Sequence, residues 1–338
     1  MFHAKLPTDP IRARLCERPI RKVWTVGSGT SWYSAVVAAH TWERVLHVDA
    51  EAISSLEFVN SVPHEMLGPD VAVIGISQSG ASFILVAAMR RARALGCLTL
   101  GITAEPASLL AQAAEWIVDC ATGPEDALAK TKGFTTTTLG ACLVAHSLAG
   151  TPAVTETFTH ELTAAMETII ACSRPKVADW ALRFATVSAF FVVGSGIHVP
   201  TALEGALKIL EVVKMPVIGR EIEEMVHGSF NAVGPETGLV LLAGEIPQID
   251  KVQGFRKAAE SISAPLMTIA DQAVADRSGT KDFDLVLPAL RLPDLLPLLG
   301  IVPLQLLADR MAAQRGVDGD KPRHPSLYRL LKAKAIHV

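Results

Sequence analysis

An apolar, strand-like run ending in Gly-Ser-Gly occurs twice in this chain, and no other feature limits its folding as much. Trp24-Thr25-Val26-Gly27-Ser28-Gly29 stands against Phe191-Val192-Val193-Gly194-Ser195-Gly196, with Gly27 and Gly194 separated by 167 positions. Each copy runs into a helical pattern, Trp32 to Leu46 after the first and Thr201 to Val213 after the second. Two copies of one α/β unit is the economical reading. It agrees with 338 residues at roughly 150 per domain.

Around the repeat, short apolar runs alternate with helix-length patterns. The expected strands are Lys22–Val26, His47–Ala50, Val71–Ile76, Leu98–Thr103, Trp116–Val118, Ala189–Val193, Leu239–Ala243 and Pro265–Ile269. Val71–Ile76 is apolar throughout, as a strand covered on both faces must be. The expected helices include Phe83–Leu95, Gly133–Ala149, Val252–Ser261 and Leu295–Arg315, with a helical turn at Ser54–Asn60. Strand, turn and helix in series imply parallel sheets with right-handed crossovers. The fold class is therefore α/β, with two doubly wound domains at 1–150 and 175–338 joined by a connecting helix at 151–174.

Composition narrows the partners. Half the residues are hydrophobic and 19% are charged, so the chain buries enough surface to offset its ordering entropy. The apolar excess points to an oligomer interface. A net charge of −3 and 5% aromatics disfavour a nucleic-acid partner. Prolines at 288, 293, 297 and 303 interrupt the most apolar stretch, Leu285–Leu307, so no membrane span is expected. The N-terminus has no apolar signal region. Five scattered cysteines without Cys-x-x-Cys pairs read as reduced cytoplasmic thiols, and no metal or cofactor is expected.

Chemistry concentrates in three places. Two serine-rich turns, Gly27-Ser28-Gly29-Thr30-Ser31 and Ser77-Gln78-Ser79-Gly80 with Ser82, stand where strands end and helices begin. Such turns offer free amides, hydroxyls and the positive helix end to an anion; the alternative is simple N-capping. A dinucleotide site is disfavoured, because Trp32 occupies the third glycine position of the fingerprint although Asp49 and Glu51 follow at ribose-ligand spacing. On the helix after the second turn, Glu204, Lys208 and Glu211 share one face. They form either a solvated ion-pair row or a reactive one. Finally, His227 lies in a loop-like polar stretch, Glu223–Gly228, where an imidazole is free to titrate.

The segments GSGTS (27–31), SQSGAS (77–82), AKTKGFTT (129–136), ALEGALKILE (202–211), EEMVHG (223–228), PLQLLAD (303–309) and DGDKPRH (318–324) together make the sequence similar to the sugar isomerase (SIS) domain family. It resembles the double-SIS proteins typified by the isomerase half of glucosamine-fructose-6-phosphate aminotransferase. That resemblance implies two flavodoxin-like SIS domains and a 6-phosphate held at Ser31, Ser77, Gln78, Ser79 and Ser82, with Gly29 and Thr30 lining the turn. It implies Glu211 as the base moving a proton between C1 and C2, and Glu204 and Lys208 near the sugar. His227 becomes the ring-opening group, often acting from the neighbouring subunit of a homodimer with shared active sites.

The chain departs from that pattern in three respects. It begins Met1-Phe2-His3, without the aminotransferase's N-terminal glutaminase cysteine; Lys130 replaces a serine; and Leu327 falls where the pattern has a tail lysine. These changes disfavour synthesis. They leave aldose–ketose isomerisation with amine release from a 6-phosphorylated amino sugar or amine-linked sugar, as in deaminases and deglycases. A non-catalytic sugar-phosphate sensor is the alternative.

Overall fold

A computed structural model describes residues 6–151, 156–244, 249–278 and 282–326; the expected position of the tail lysine, Leu327, lies outside them. The described residues divide into two compact units, one of residues 6–126 and 130–159 and one of 127–129 and 160–326.

In the first unit the order is α1 (Thr8–Glu17), β1 (Lys22–Gly27), α2 (Thr30–Leu46), β2 (Asp49–Ser54), α3 (Ser55–Ser61), β3 (Val71–Ile76), α4 (Phe83–Ala94), β4 (Leu98–Thr103), α5 (Leu109–Ala113), β5 (Trp116–Asp119) and α6 (Lys132–Leu148). All five strands are parallel, in the order β2-β1-β3-β4-β5. Alternate residues feed opposite layers, as strand geometry requires. Val23, Ala72, Ile74 and Leu100 pack with Ile11, Ala38, Trp42 and Val144 from α1, α2 and α6. Trp24, Val26, Val71 and Val73 pack with Phe58, Leu85, Met89 and Leu110 from α3, α4 and α5. The expected strand at 47–50 begins two residues later, because His47 takes a left-handed conformation (φ 52°) that closes α2.

α7 (Glu156–Ser173) begins in the first unit and continues into the second, which goes on with α8 (Val177–Arg183), β6 (Ala189–Gly194), α9 (Val199–Val213), β7 (Val217–Glu221), α10 (Ile222–Val226), β8 (Thr237–Ala243), α11 (Ile249–Ser261), β9 (Leu266–Asp271), α12 (Gln272–Ser278), β10 (Leu285–Leu287) and α13 (Leu296–Gln314). Its sheet order, β10-β9-β8-β6-β7, is the first unit's order read from the other edge. The edge strands β7 and β10 escape the sequence reading. β7 is half exposed and carries Gly219 and Arg220, while β10 has only three residues, so neither forms a distinct apolar run.

The glycines of the repeat explain why it is legible. A Cβ on Gly27 would sit 2.3 Å from the Ser31 carbonyl oxygen, and one on Gly194 would sit 2.3 Å from that of His198. Gly29 and Gly196 take φ of +57° and +55°, a region unfavourable to other residues.

The apolar stretch near the C-terminus contains strand β10 and then the helix α13. The helix expected at Leu295–Arg315 is α13; among the described residues, Pro293–Gln314 is the one helix long and apolar enough to cross a membrane by length and composition, and 78% of that window is buried in the protein. Pro303 stays inside α13, which packs on α8 and α9. Leu304 seats so closely on Gly205 that a Cβ there would come within 2.2 Å of it.

Candidate active site

In the first unit, β1 and β3 are adjacent and parallel, and the strand order reverses between them. This is the switch point at which doubly wound sheets of 2-1-3-4-5 order bind ligands, beyond the carboxyl ends of the strands. Both serine-rich turns sit there. The first leads into α2 through Gly29, and the second into α4 through Ser82, whose side chain makes no capping bond. Simple N-capping therefore fails to account for Ser82. Ser79 is exposed and Ser31 and Ser82 are half-buried. Ser77 is buried, its hydroxyl accepting from the Gly80 amide at 3.1 Å. Its own proton remains available to donate. The Gln78 carbonyl accepts from the Ala104 amide and the Thr103 hydroxyl, which ties the turn to β4.

Asp49 and Glu51, the acidic pair at ribose-ligand spacing, have a structural role instead. Both receive the buried Lys22 ammonium, at 3.0 and 2.9 Å. Burial acts to lower the Lys22 pKa, but the two carboxylates outweigh it and hold the ammonium above its ordinary value.

The loop before α6 is organised by a residue the sequence reading passed over. Glu125 accepts from the amides of Thr131, Lys132 and Gly133, at 2.8, 2.8 and 3.0 Å, and from the Thr131 hydroxyl. Lys130 turns its ammonium back onto the Glu125 carbonyl. Thus Lys130 braces the loop in this structure. A Cβ on Gly133 would lie 3.1 Å from Gln78 and 3.2 Å from Glu125, so this capped helix end abuts the second serine turn. The available signal was a Glu six to eight residues before three helical amides, a spacing outside the usual capping box.

Burial favours a neutral Glu125, but its backbone and hydroxyl donors prevail and hold the carboxyl below its ordinary value of 4.5. A depressed folded pKa contributes stability above the unfolded value, and that contribution is lost as pH falls through the folded one. Glu125→Gln is therefore expected to lose about 1 kcal/mol near neutrality. Urea unfolding should show the gap narrowing as pH drops below 4.5; a constant gap would exclude the charged cap.

The second unit repeats the architecture, but the serine of its corresponding turn is buried. Its switch point lies between β6 and β8, and the turn after β6 is filled from within. Ser195 is fully buried, its hydroxyl bonded to the Gly244 backbone at 3.0 and 3.2 Å. Behind it, His198 is buried between Asp271, 2.7 Å from Nε2, and Thr201, 3.1 Å from Nδ1. The repeat conserves backbone geometry, while its pseudo-equivalent crevice is plugged.

The polar row of α9 is reactive in form. Glu204 and Lys208 are 0% and 1% exposed, whereas the Glu211 side chain is 30% exposed. The Lys208 ammonium lies 2.6 Å from Glu211 Oε2 and 3.4 Å from Glu204 Oε1. A solvated ion-pair face is thereby ruled out. The arrangement is one buried cation between a buried carboxylate and a carboxylate that opens to solvent. His227, by contrast, is 71% exposed and faces Glu223 Oε1 at 3.2 Å. Its surroundings are less loop-like than expected, since Ile222–Val226 forms α10, capped by the Glu221 carboxylate accepting from the Glu223 and Glu224 amides. Glu223 also receives the Lys251 ammonium. The structure thus brings Glu204, Lys208 and Glu211 together and gives His227 a different carboxylate partner.

Comparison with known proteins agrees with this fold. The signature of the SIS domain matches residues 18–147. A glutamine–fructose-6-phosphate aminotransferase (isomerizing) of Gloeobacter violaceus is 31% identical over 329 residues, covering 94% of this chain and 53% of its own length. The chain spans about half the length of the curated relatives it matches. Among solved structures, the C-terminal domain of the Francisella tularensis glucosamine-fructose-6-phosphate aminotransferase superposes with a TM-score of 0.81 at 21% identity, covering 94% of this chain and 90% of that one. A glucosamine-6-phosphate deaminase of Thermotoga maritima gives 0.75 at 22% identity, covering 94% and 95%.

Proposed function

Because the chain carries a SIS domain over residues 18–147, we propose that it is a phosphosugar isomerase, and that the second unit is a further SIS domain carrying the proton-transfer group. The observation that carries this reading is the placement of two hydroxyl-bearing turns at the switch point of the first sheet. There α2 and α4 present their amino ends, a neutral, donor-rich cradle for a phosphate. The 6-phosphate lies remote from C1 and C2, so its binding energy serves to position the reacting carbons.

The finer proposal is amine release from a 6-phosphorylated amino sugar or amine-linked sugar, in a homodimer with shared sites. With the sugar ring open, Glu211 takes the proton from the nitrogen-bearing carbon beside the carbonyl (the aldehyde of a 2-amino sugar or the ketone of a 1-amino ketose), and the electron pair forms an enolamine. Return of the proton to the neighbouring carbon leaves the amine nitrogen as an imine. Water then adds, and the carbon–nitrogen bond breaks to give the ketose or aldose phosphate and free amine. Lys208, 2.6 Å from Glu211, fixes the position of that carboxylate. His227 is assigned the ring-opening proton transfer, for which an exposed imidazole is suited. The deaminase and aminotransferase names among the similar proteins support this substrate class.

The cradle is tested by calorimetry. Ser77→Ala with Ser79→Ala is expected to weaken a 6-phosphorylated hexosamine about tenfold or more, leaving the unphosphorylated sugar unchanged. Ser79→Ala alone alters an exposed side chain and keeps the Ser77–Gly80 bond, so it controls for folding. Equal loss for both sugars would reject the cradle. Solvent-deuterium incorporation at C2 of the bound sugar, read by NMR, separates an enzyme from a sugar-phosphate sensor.

A further inference from the structure

Within the second unit, the 127–129 segment and the residues following α13 meet over the carboxyl end of α9 and enclose a groove of about 420 Å³. Leu128, Met215 and Pro216 supply apolar walls, and Glu211, Lys214 and Arg323 supply the polar lining. Lys214 closes α9 in a left-handed conformation (φ +60°), a common helix end. Three contacts hold it. Its amide donates to the Leu210 carbonyl at 3.0 Å, its carbonyl accepts from the Arg323 guanidinium, and its ammonium donates to the Asp318 carbonyl.

The charges of this groove are unequally satisfied. Glu211 shares the Lys208 ammonium, at 2.6 Å, with Glu204 at 3.4 Å, and the neighbouring Asp318 pairs with Lys321 at 2.9 Å. Lys214 and Arg323 give one donor each to the backbone contacts above, whereas an ammonium carries three and a guanidinium five. The lining of the groove therefore combines one carboxylate, aliphatic side chains, and two cations with donors to spare. A planar guanidinium beside an ammonium matches a carboxylate.

We propose that this groove is the subsite for the substituent on the sugar's amine, and that it selects an aliphatic chain ending in a carboxylate, as an amine-linked amino acid would present. The inference rests on the reading that Glu211 works at the carbons next to that amine. It sets the substrate class: an amine-linked sugar phosphate in preference to one that releases ammonia.

The test uses the full chain and two matched ligands. Both are 1-amino-1-deoxyfructose 6-phosphates, one substituted on nitrogen with 6-aminohexanoic acid and the other with hexylamine. Calorimetry is expected to show the carboxylate-bearing ligand binding about tenfold tighter or more. Lys214→Met and Arg323→Gln should each bring that ratio to within about threefold. Equal binding of the two ligands, with fructose 6-phosphate still bound, overturns the subsite and leaves the isomerase reading standing. A preference undiminished in both variants overturns it equally. Failure of the wild-type chain to bind any 6-phosphorylated sugar overturns the isomerase reading itself.

Discussion

Glu211→Gln is expected to abolish measurable turnover, lowering kcat by about 10²- to 10⁴-fold, the range that a positioned acid–base group supplies. The amide matches the carboxylate in shape and still offers an oxygen to Lys208 2.6 Å away, so the chain should fold and bind sugar phosphate with a Kd near wild type. What it loses is basicity, since an amide oxygen takes no proton from carbon. Deuterium exchange at C2 should therefore vanish together with amine release. A variant that retains activity within about tenfold of wild type would remove Glu211 from the chemistry. A large rise in Kd with little change in kcat would make it a binding group instead.

The second large effect is on stability. Lys208 is 1% exposed and lies beside Glu204 at 0%, so Lys208→Met leaves a buried carboxylate facing an apolar side chain. Removing one partner of such a pair costs about 3–5 kcal/mol, because the remaining charge keeps its desolvation penalty and loses its attraction. Urea unfolding should report that loss as a lower midpoint. Adding Glu204→Gln to the same chain should recover much of it, the coupling expected of neighbours sharing one interaction. Strictly additive losses would mean that Lys208 and Glu204 are satisfied independently. The contrast is informative: Glu211, 30% exposed, affects rate, whereas Glu204 and Lys208 affect the integrity of the helix that carries it.

Much of the architecture was legible because backbone constraints leave marks on sequence. Gly27 and Gly194 sit where any Cβ would collide with a carbonyl four residues on, and the buried central strands read as continuous apolar runs. The edge strands β7 and β10 left weaker marks, since strands with an open side need less apolar surface. Glu125 was missed because its partners lie six to eight positions away across a loop. The last helix was expected at Leu295–Arg315 despite its prolines, and α13 spans Leu296–Gln314. Pro303 lies inside a helix clamped against α8 and α9, where tertiary packing outweighs a local breaker.

The sequence by itself determined the doubled α/β plan, the serine turns that open two of its helices, and the common face of Glu204, Lys208 and Glu211. These follow from periodicity and from steric limits on the backbone, which act over a few residues. Only the tertiary structure decided that Ser79 is exposed at the switch point of the first sheet, while the turn of the second is closed by Ser195, His198 and Asp271. It alone decided that Lys208 is a buried cation instead of a solvated one, and that Lys214 and Arg323 border a groove beside Glu211. Burial and charge balance depend on residues brought together from distant parts of the chain, and no local pattern records them.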